Sequence, residues 1–348
     1  MNFTLVGLNF KTAPIEIREL FYLQPLERSL LLAELKTNPK VIEAFVLSTC
    51  NRTEIYARMI DDDPSPLLDL VFKIKKAHMT RVLMNHFYVL KNDDVIKHFL
   101  EVTCGLDSLV IGEKQILGQV KESTKLAHEM GMLSQVFNIL INTAVHAGKL
   151  VQQKTQIGAG GSSVSWAAVN MAQKILGPLN TKDILIIGAG KMSYLTADQL
   201  NRKPVNNIFI MNRTKSKADE LAKKIGGIAV LPWDLKSVLS KVDACICSAG
   251  ASYFLIESEI MEEVMRLRDY RPLLLIDIST PRNIDPLVSQ INNVNLVSMD
   301  DLHKAIDTNL MIRQAAVQSV QEIINYKIKL FNHKIIKGGY MNLPAFTH

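Results

Sequence analysis

Cys50 is the side chain in this sequence best placed to make and break a covalent bond. It follows Ser48 and Thr49, precedes Asn51 and Arg52, and comes directly after the apolar run Val41–Leu47. A thiol becomes a nucleophile when it is accessible and its thiolate is favoured, and a neighbouring guanidinium favours the thiolate. The alternative for any lone cysteine is an inert place in a core. His98 falls on the helical pattern Val95–His98–Phe99–Val102 and is either a companion to that chemistry or a core or surface histidine. Ser108, Glu113, Gln115 and Gln119 follow a Gly105-Leu106-Asp107 turn and make an apolar stretch polar, as a binding pocket or a capped helix start would. Cys104 stands alone, and Cys245 and Cys247 are two apart in a strand-like run where they read as small core residues. Neither a redox C-x-x-C nor a zinc-ligand pairing occurs, so no metal site is expected.

A second centre lies at Gly188-Ala189-Gly190-Lys191-Met192-Ser193, where the run Ile184–Ile187 enters a helix through a glycine-rich turn. The first glycine permits a tight turn, and the second lets a pyrophosphate approach the backbone and the helix N-terminus. Ser193 stands where the dinucleotide fingerprint has a third glycine. The next strand, Ile208–Met211, ends in Asn212-Arg213-Thr214. An acidic residue here would hold the ribose 2′-hydroxyl of NAD, whereas Arg213, with Lys215 and Lys217 close by, suits a 2′-phosphate and therefore NADPH. The competing reading is a solvated helix start with Thr214 as its cap.

These residues need elements to position them. Phe3–Leu8 reads as a strand, and the stretch from Pro14 through Leu35 suits helices. Val41–Leu47 and Glu54–Met59 read as partner strands, which sets Cys50 at a sharp strand–loop junction. Asp93–Val102 and Gln115–Met130 have helical periodicity, and residues 131–175 are helical apart from Gly158-Ala159-Gly160-Gly161-Ser162-Ser163, the expected hinge. From Asp183, buried apolar strands alternate with amphipathic helices, the pattern of a parallel sheet with right-handed crossovers. After Pro286 a helical tail is expected to about Leu330, followed by an unordered GGYMNLPAFTH. The fold class is α/β multidomain: an N-terminal α+β domain over 1–157, a Rossmann-like domain over 158–290, and a C-terminal helical tail over 291–348. No internal repeat or low-complexity tract is present.

Composition narrows the classes further. The chain has 348 residues, 48% of them hydrophobic, with a formal net charge of +6. That is a globular composition with too little net charge for disorder. No run reaches the roughly 18 apolar residues of a membrane span, and Lys11, Glu16 and Arg18 interrupt any signal-peptide core. A cytoplasmic location and no membrane partner are expected. Residues 1–150 carry 17 basic and 17 acidic side chains, so the surplus lies wholly in the remainder, with 23 against 17. An excess of that size is a solvated surface as readily as a phosphate-binding face.

Taken together, the motifs resemble the glutamyl-tRNA reductase family. The matching segments are Leu47–Ala57 (LSTCNRTEIYA), Gly105–Val120 (GLDSLVIGEKQILGQV), the Gly188 turn, Asn212-Arg213-Thr214 and Asp277–Pro286 (DISTPRNIDP). They are collinear from about residue 3 to 325. The resemblance implies NADPH-dependent reduction of glutamyl-tRNA(Glu) to glutamate-1-semialdehyde with release of tRNA, the first step of tetrapyrrole synthesis from glutamate. It implies that Cys50 attacks the ester to give a thioester, which water would discharge in the absence of NADPH. It makes His98 a catalytic residue and Thr49, Asn51, Arg52, Ser108, Glu113, Lys114, Gln115 and Gln119 substrate-binding positions, with Arg52 a partner for the glutamate carboxylate. Gly188, Ala189, Gly190, Lys191, Met192, Ser193 and Arg213 become the NADPH site. The downstream aminomutase is a candidate partner.

Three departures stand out. Lys191 and Ser193 replace the family's usual glutamate and glycine, Lys114 replaces a common proline, and the tail is expected to be a shortened form of the region through which the family dimerises. That last point counts against a homodimer. The alternative is a divergent paralogue that binds tRNA or nucleotide in a regulatory role without reducing. A small-molecule dehydrogenase of the shikimate type would explain the second half of the chain but leaves Cys50 without a purpose.

Overall fold

The structure, a computed structural model, describes residues 2–109, 111–155, 157, 164–306 and 310–340. The expected hinge at Gly158–Ser163 and the end of the tail from Met341 lie outside the described residues. The chain forms two compact units, one of residues 1–160 with 309–348 and one of residues 161–308.

The first unit is built on an antiparallel sheet with strand order β2-β3-β1-β4, from β1 (Asn2–Asn9), β2 (Val41–Ser48), β3 (Arg52–Met59) and β4 (Tyr88–Lys91). Around it lie α1 (Ile15–Phe21), α2 (Pro25–Thr37), α3 (Ser65–Ile74), α4 (Arg81–Met84), α5 (Asp93–Thr103), α6 (Gln115–Glu129) and α7 (Gln135–Lys154). All eight residues of β3 are buried, because helices cover both faces of the sheet's middle. Side chains alternate along a strand, so the registers Gly7↔Glu54, Leu5↔Tyr56 and Phe3↔Arg58 define one face. In its middle this face is apolar: Phe45 stacks on Tyr56 with centroids 4.5 Å apart and meets Phe99 of α5 and Phe137 of α7. Toward the β2–β3 turn the same face becomes polar.

Glu43 on β2 shows how a buried charge is accommodated here. It is paired with Arg58 at 2.6 Å and accepts the backbone N–H groups of Ser134 and Phe137 at the start of α7. A carboxylate from another element therefore caps that helix, whose own N-cap, Ser134, makes no side-chain cap bond.

The second unit contains α8 (Val164–Leu176), β5 (Asp183–Ile187), α9 (Lys191–Asn201), β6 (Asn207–Met211), α10 (Lys215–Ile225), β7 (Ile228–Val230), α11 (Leu235–Leu239), β8 (Ala244–Cys247), α12 (Ser258–Leu267), β9 (Leu273–Asp277), β10 (Val294–Val297) and α13 (Met299–Ile306). The sheet runs β10-β9-β8-β5-β6-β7, with each adjacent pair parallel. In order of appearance that is the 3-2-1-4-5-6 arrangement of dinucleotide-binding sheets, with its switch point between β5 and β8. Cys245 and Cys247 are fully buried in β8, as small core residues.

The helical tail expected after Pro286 takes a different form. Residues 294–297 are the sixth strand of this sheet and α13 follows it, so the nucleotide unit continues past the expected boundary at 290. The pattern Val294-Asn295-Leu296-Val297 is too short to tell strand from helix by periodicity alone. Helix α14 (Leu310–Lys337) instead belongs with the first unit, where Phe331 lies 6.4 Å from Phe3 and Val320, Ile324 and Ile335 are buried.

Candidate active site and nucleotide cavity

The β2–β3 turn is closed by Thr49 N–H donating to Arg52 O at 2.8 Å, which presents Cys50 at its tip. Thr49 and Asn51 are buried and shape the turn from within, since Thr49 Oγ1 accepts the Asn51 N–H. The turn is gripped from outside as well. Arg18 of α1 donates to Cys50 O at 3.3 Å and to Asn51 Oδ1 at 3.1 Å, while Leu23 N–H donates to Ser48 Oγ at 2.9 Å. Of the four cysteines, all free thiols, Cys50 is half-buried and the other three are buried.

The adjacent guanidinium does favour the Cys50 thiolate, as expected, but it is outweighed in this state. Burial, then the charge of Glu113, pushes the thiol up to about 12, against the opposing influence of Arg18 and Arg52. Arg52 is spent elsewhere. It is 2% exposed and donates to Glu54 Oε1 at 2.6 Å, to Asp107 Oδ2 at 3.0 Å and to the Asp107 carbonyl. All three contacts are internal to the protein.

Glu54 is the hub of this network. Its Oε1 accepts from Arg52, from the Tyr88 hydroxyl at 2.5 Å and from His98 Nε2 at 2.9 Å, and its Oε2 accepts from the Tyr56 hydroxyl at 2.6 Å. A carboxylate only accepts, so His98 carries a proton on Nε2 in this contact. Burial opposes ionisation of Glu54, but the charges of Arg52 and His98 outweigh it and hold the carboxyl far below its ordinary range. Asp107 lies 3.9 Å from His98 Nδ1, pairs with Lys11, and is also lowered: burial opposes, and Arg52 then Lys11 prevail.

Tyr88 reaches Glu54 across β1 because Gly7, paired with both, has no side chain in between. A Cβ on Gly7 would lie 2.7 Å from Glu54 Cγ.

The structure therefore brings Arg52 and His98 together around Glu54 and sets the charge of Glu113 against Cys50. Ser108 is buried, Gln119 is half-buried, and Lys114 is exposed with its carbonyl accepting from Gln152. Gln115, at the start of α6, has its Nε2 buried with no hydrogen-bond partner among the described residues, a donor open to a ligand. Glu54, Tyr88, Asp107, Lys11 and Arg18 were not among the expected site residues. Only Glu54 had a local signal: Arg52, Glu54, Tyr56 and Arg58 alternate along one strand, and a charged row on a buried face must be paired.

In the second unit, a cavity of about 480 Å³ opens at the β5/β8 switch point, lined among others by Gly188, Ala189, Gly190, Asn212, Arg213 and Ser248. Gly188 has φ +115°, and a Cβ there would meet Ser248 O at 2.9 Å, whereas Gly190 faces open space. That room, beside the first turn of α9, is what a pyrophosphate requires. Ser193 accommodates the missing glycine: it is buried, accepts the Gly190 N–H at 3.3 Å and pairs with the Ser248 hydroxyl at 2.7 Å. Met192 is half-buried, Lys191 is exposed as the first residue of α9, and Arg213 is exposed on the cavity wall. Thr214 is the N-cap residue of α10 but makes no side-chain cap bond.

Asp277, at the end of β9, accepts the N–H groups of Ser279, Asn283 and Ile284, and Asn283 donates to the carbonyls of Ala251 and Tyr253. The DISTPRN segment thereby braces the loop that lines the cavity.

Fold and site define an oxidoreductase class: a nicotinamide-dinucleotide unit carried on the same chain as a unit presenting one half-buried cysteine at the tip of a turn. A family model described as the glutamyl-tRNA(Glu) reductase N-terminal domain matches residues 6–155, and one described as shikimate/quinate 5-dehydrogenase matches residues 170–305. The glutamyl-tRNA reductase of Bacillus subtilis (strain 168) is 40% identical over 337 residues, covering 95% of this chain and 73% of the relative. That of Thermodesulfovibrio yellowstonii is 36% identical over 339 residues, covering 95% and 79%. Among solved structures, the glutamyl-tRNA reductase of Methanopyrus kandleri is similar with a TM-score of 0.54 at 29% identity, over 96% of this chain and 80% of that one. The chain belongs to the glutamyl-tRNA reductase family.

Proposed function

We propose that the chain reduces glutamyl-tRNA(Glu) to glutamate-1-semialdehyde with NADPH, through a thioester on Cys50. The observation that carries this reading is that Cys50 alone among the four thiols escapes enclosure in a core, at the tip of a turn held from both sides.

Cys50 Sγ attacks the ester carbonyl, the bond to the terminal ribose oxygen breaks, and tRNA leaves. The thiol proton must depart as the S–C bond forms, since burial and Glu113 disfavour a free thiolate. Glu113 is the carboxylate whose charge bears most on that thiol, and we assign it the proton, which it passes to the leaving ribose oxygen. Gln115 Nε2 and Ser108 orient the glutamyl group. His98 is held by Glu54 and acts from within that network, with Tyr88 edge-on to its ring at a centroid distance of 5.9 Å.

A thioester is more electrophilic than an ester, and covalent attachment keeps the acyl group in place for the second step. When bound, the cofactor supplies a hydride to the thioester carbonyl. Collapse of the adduct expels Cys50 and releases the aldehyde, which the downstream aminomutase would consume. The backbone of Gly188 to Gly190 with Lys191 would hold the pyrophosphate, and Arg213 the 2′-phosphate. Four free thiols support a reducing compartment, the cytoplasm. Among the described residues no helix is long and apolar enough to cross a membrane.

The test is turnover to semialdehyde with NADPH against NADH. A charge-assisted Arg–phosphate contact contributes about 1.5–3 kcal/mol, so Arg213→Glu should raise the KM for NADPH roughly 10- to 100-fold and leave that for NADH nearly unchanged. Equal effects on the two cofactors would overturn the 2′-phosphate assignment.

A further inference from the structure

We propose that the outer face of α14 is a docking surface for the sugar–phosphate backbone of the tRNA substrate. The proposal extends the tRNA reading of the substrate and rests on it.

The charge distribution leads there first. The neutral first 150 residues leave tRNA affinity without an electrostatic source in the part of the chain that carries Cys50. Residues 309–348 hold Arg313, Lys327, Lys329, Lys334 and Lys337 against a single acidic residue, Glu322. This segment belongs to the same compact unit as Cys50, so it returns a positive surface to the unit that needs one.

The helix geometry sorts those charges. Ala316, Val320, Ile324, Lys327, Phe331 and Ile335 form the buried stripe, at steps of four and three. Opposite it, Tyr326, Lys329, His333 and Lys337 recur at intervals of three, four and four, all exposed, with exposed Lys334 on the flank. At 1.5 Å per residue the row spans about 16 Å. Among the described residues none of Lys327, Lys329, Lys334 and Lys337 has an ion-pair partner, while other surface lysines such as Lys40, Lys73 and Lys236 do. Burial and the charge of Lys334 lower the Lys327 pKa, so these ammonium groups repel one another. Favourable alignment with the helix C-terminus accounts for Lys334 and Lys337, but Lys329 lies two turns earlier, beyond its reach.

An uncompensated row of cations beside an exposed tyrosine suits an RNA backbone: lysines neutralise phosphates, and the Tyr326 ring, with the Lys327 ammonium 5.7 Å from its centroid, adds an exposed aromatic edge to the row. The location is consistent. Phe331 packs on Phe3, and Phe3 is six residues along β1 from Asn9, whose partner Arg52 borders the Cys50 turn. At about 3.4 Å per residue that is about 20 Å. With the acylated end at Cys50, nucleotides some way back from the 3′ terminus would meet the helix.

The experiment measures binding of fluorescently labelled, deacylated tRNA(Glu) across a salt series, for the wild-type chain and for the triple variant Lys329→Gln/Lys334→Gln/Lys337→Gln. Each lost phosphate contact lowers the slope of log K against log salt by about 0.7–0.9, so a fall of about two in slope is expected, with affinity at low salt reduced tenfold or more. The matching Lys→Arg triple keeps the charge and should retain the wild-type slope. Unchanged slope and affinity in the Gln triple, while the wild-type chain binds tRNA, would overturn the proposal and leave the Cys50 chemistry untouched, since deacylated tRNA needs no acyl transfer to bind. A Gln triple that binds tRNA normally but loses affinity for anionic vesicles or for a second copy of the chain would overturn it too, by assigning the face to a different occupant.

Discussion

At the scale of the residue, the thiol is the informative group. An ordinary cysteine is half-ionised near pH 8.5, whereas burial and Glu113 push Cys50 up to about 12. The thiolate fraction below pH 12 grows about tenfold per pH unit. Site-resolved alkylation of Cys50 in the free protein should therefore climb about tenfold per unit from pH 7 to 10 without levelling. A plateau near pH 8.5 would show an ordinary thiol and contradict this account. Cys50 was legible because its neighbours are reactive residue types in a short run. The pairing of Arg52 was not legible for a physical reason: sequence adjacency shows that a guanidinium is near, but not which carboxylates will claim it. Asp107 lies 55 positions away, so only the folded structure reveals that Arg52 is paired with it as well as with Glu54.

At the scale of the element, the site depends on one missing side chain. Tyr88 of β4, Gly7 of β1 and Glu54 of β3 stand in one cross-strand row, and the tyrosine hydroxyl reaches the carboxylate over the glycine. A methyl at position 7 would lie 2.7 Å from Glu54 Cγ and 2.9 Å from the Thr53 carbonyl. The backbone oxygen cannot swing away as a flexible side chain could. Gly7→Ala should therefore cost about 1–3 kcal/mol in denaturant unfolding, and a stability equal to wild type would show that Glu54 has slack the structure does not display. The glycine gave no warning in the sequence, where it reads as one residue of a short apolar strand.

The longer elements were legible: α5 and α6 follow their helical periodicity, and the alternation after Asp183 yields the parallel sheet. The short strands β4, β7 and β10, of three or four residues, were not, since so few positions establish no period. They become strands because a sheet edge is available to pair with.

At the scale of the whole molecule, the two units divide the chemistry. One holds the thiol and its polar network, the other a glycine-lined cavity at a switch point. The chain passes from the first to the second near residue 160 and returns near 309, so that α14 ends up with the unit that must meet tRNA. The net charge of +6 pointed to no partner by itself. Only the division into units shows that most of it sits on one helix.

The central claim spans both units: an acyl group is taken up by Cys50 and given up as an aldehyde when the nicotinamide cofactor is present. Mixing the protein with glutamyl-tRNA in the absence of NADPH, quenching in acid and mapping the peptides tests it most directly. The account predicts a glutamyl adduct on the peptide carrying Cys50, absent from Cys50→Ser, and discharged as glutamate-1-semialdehyde when NADPH is added before the quench. An adduct on another residue, or semialdehyde formation by Cys50→Ser, would contradict it.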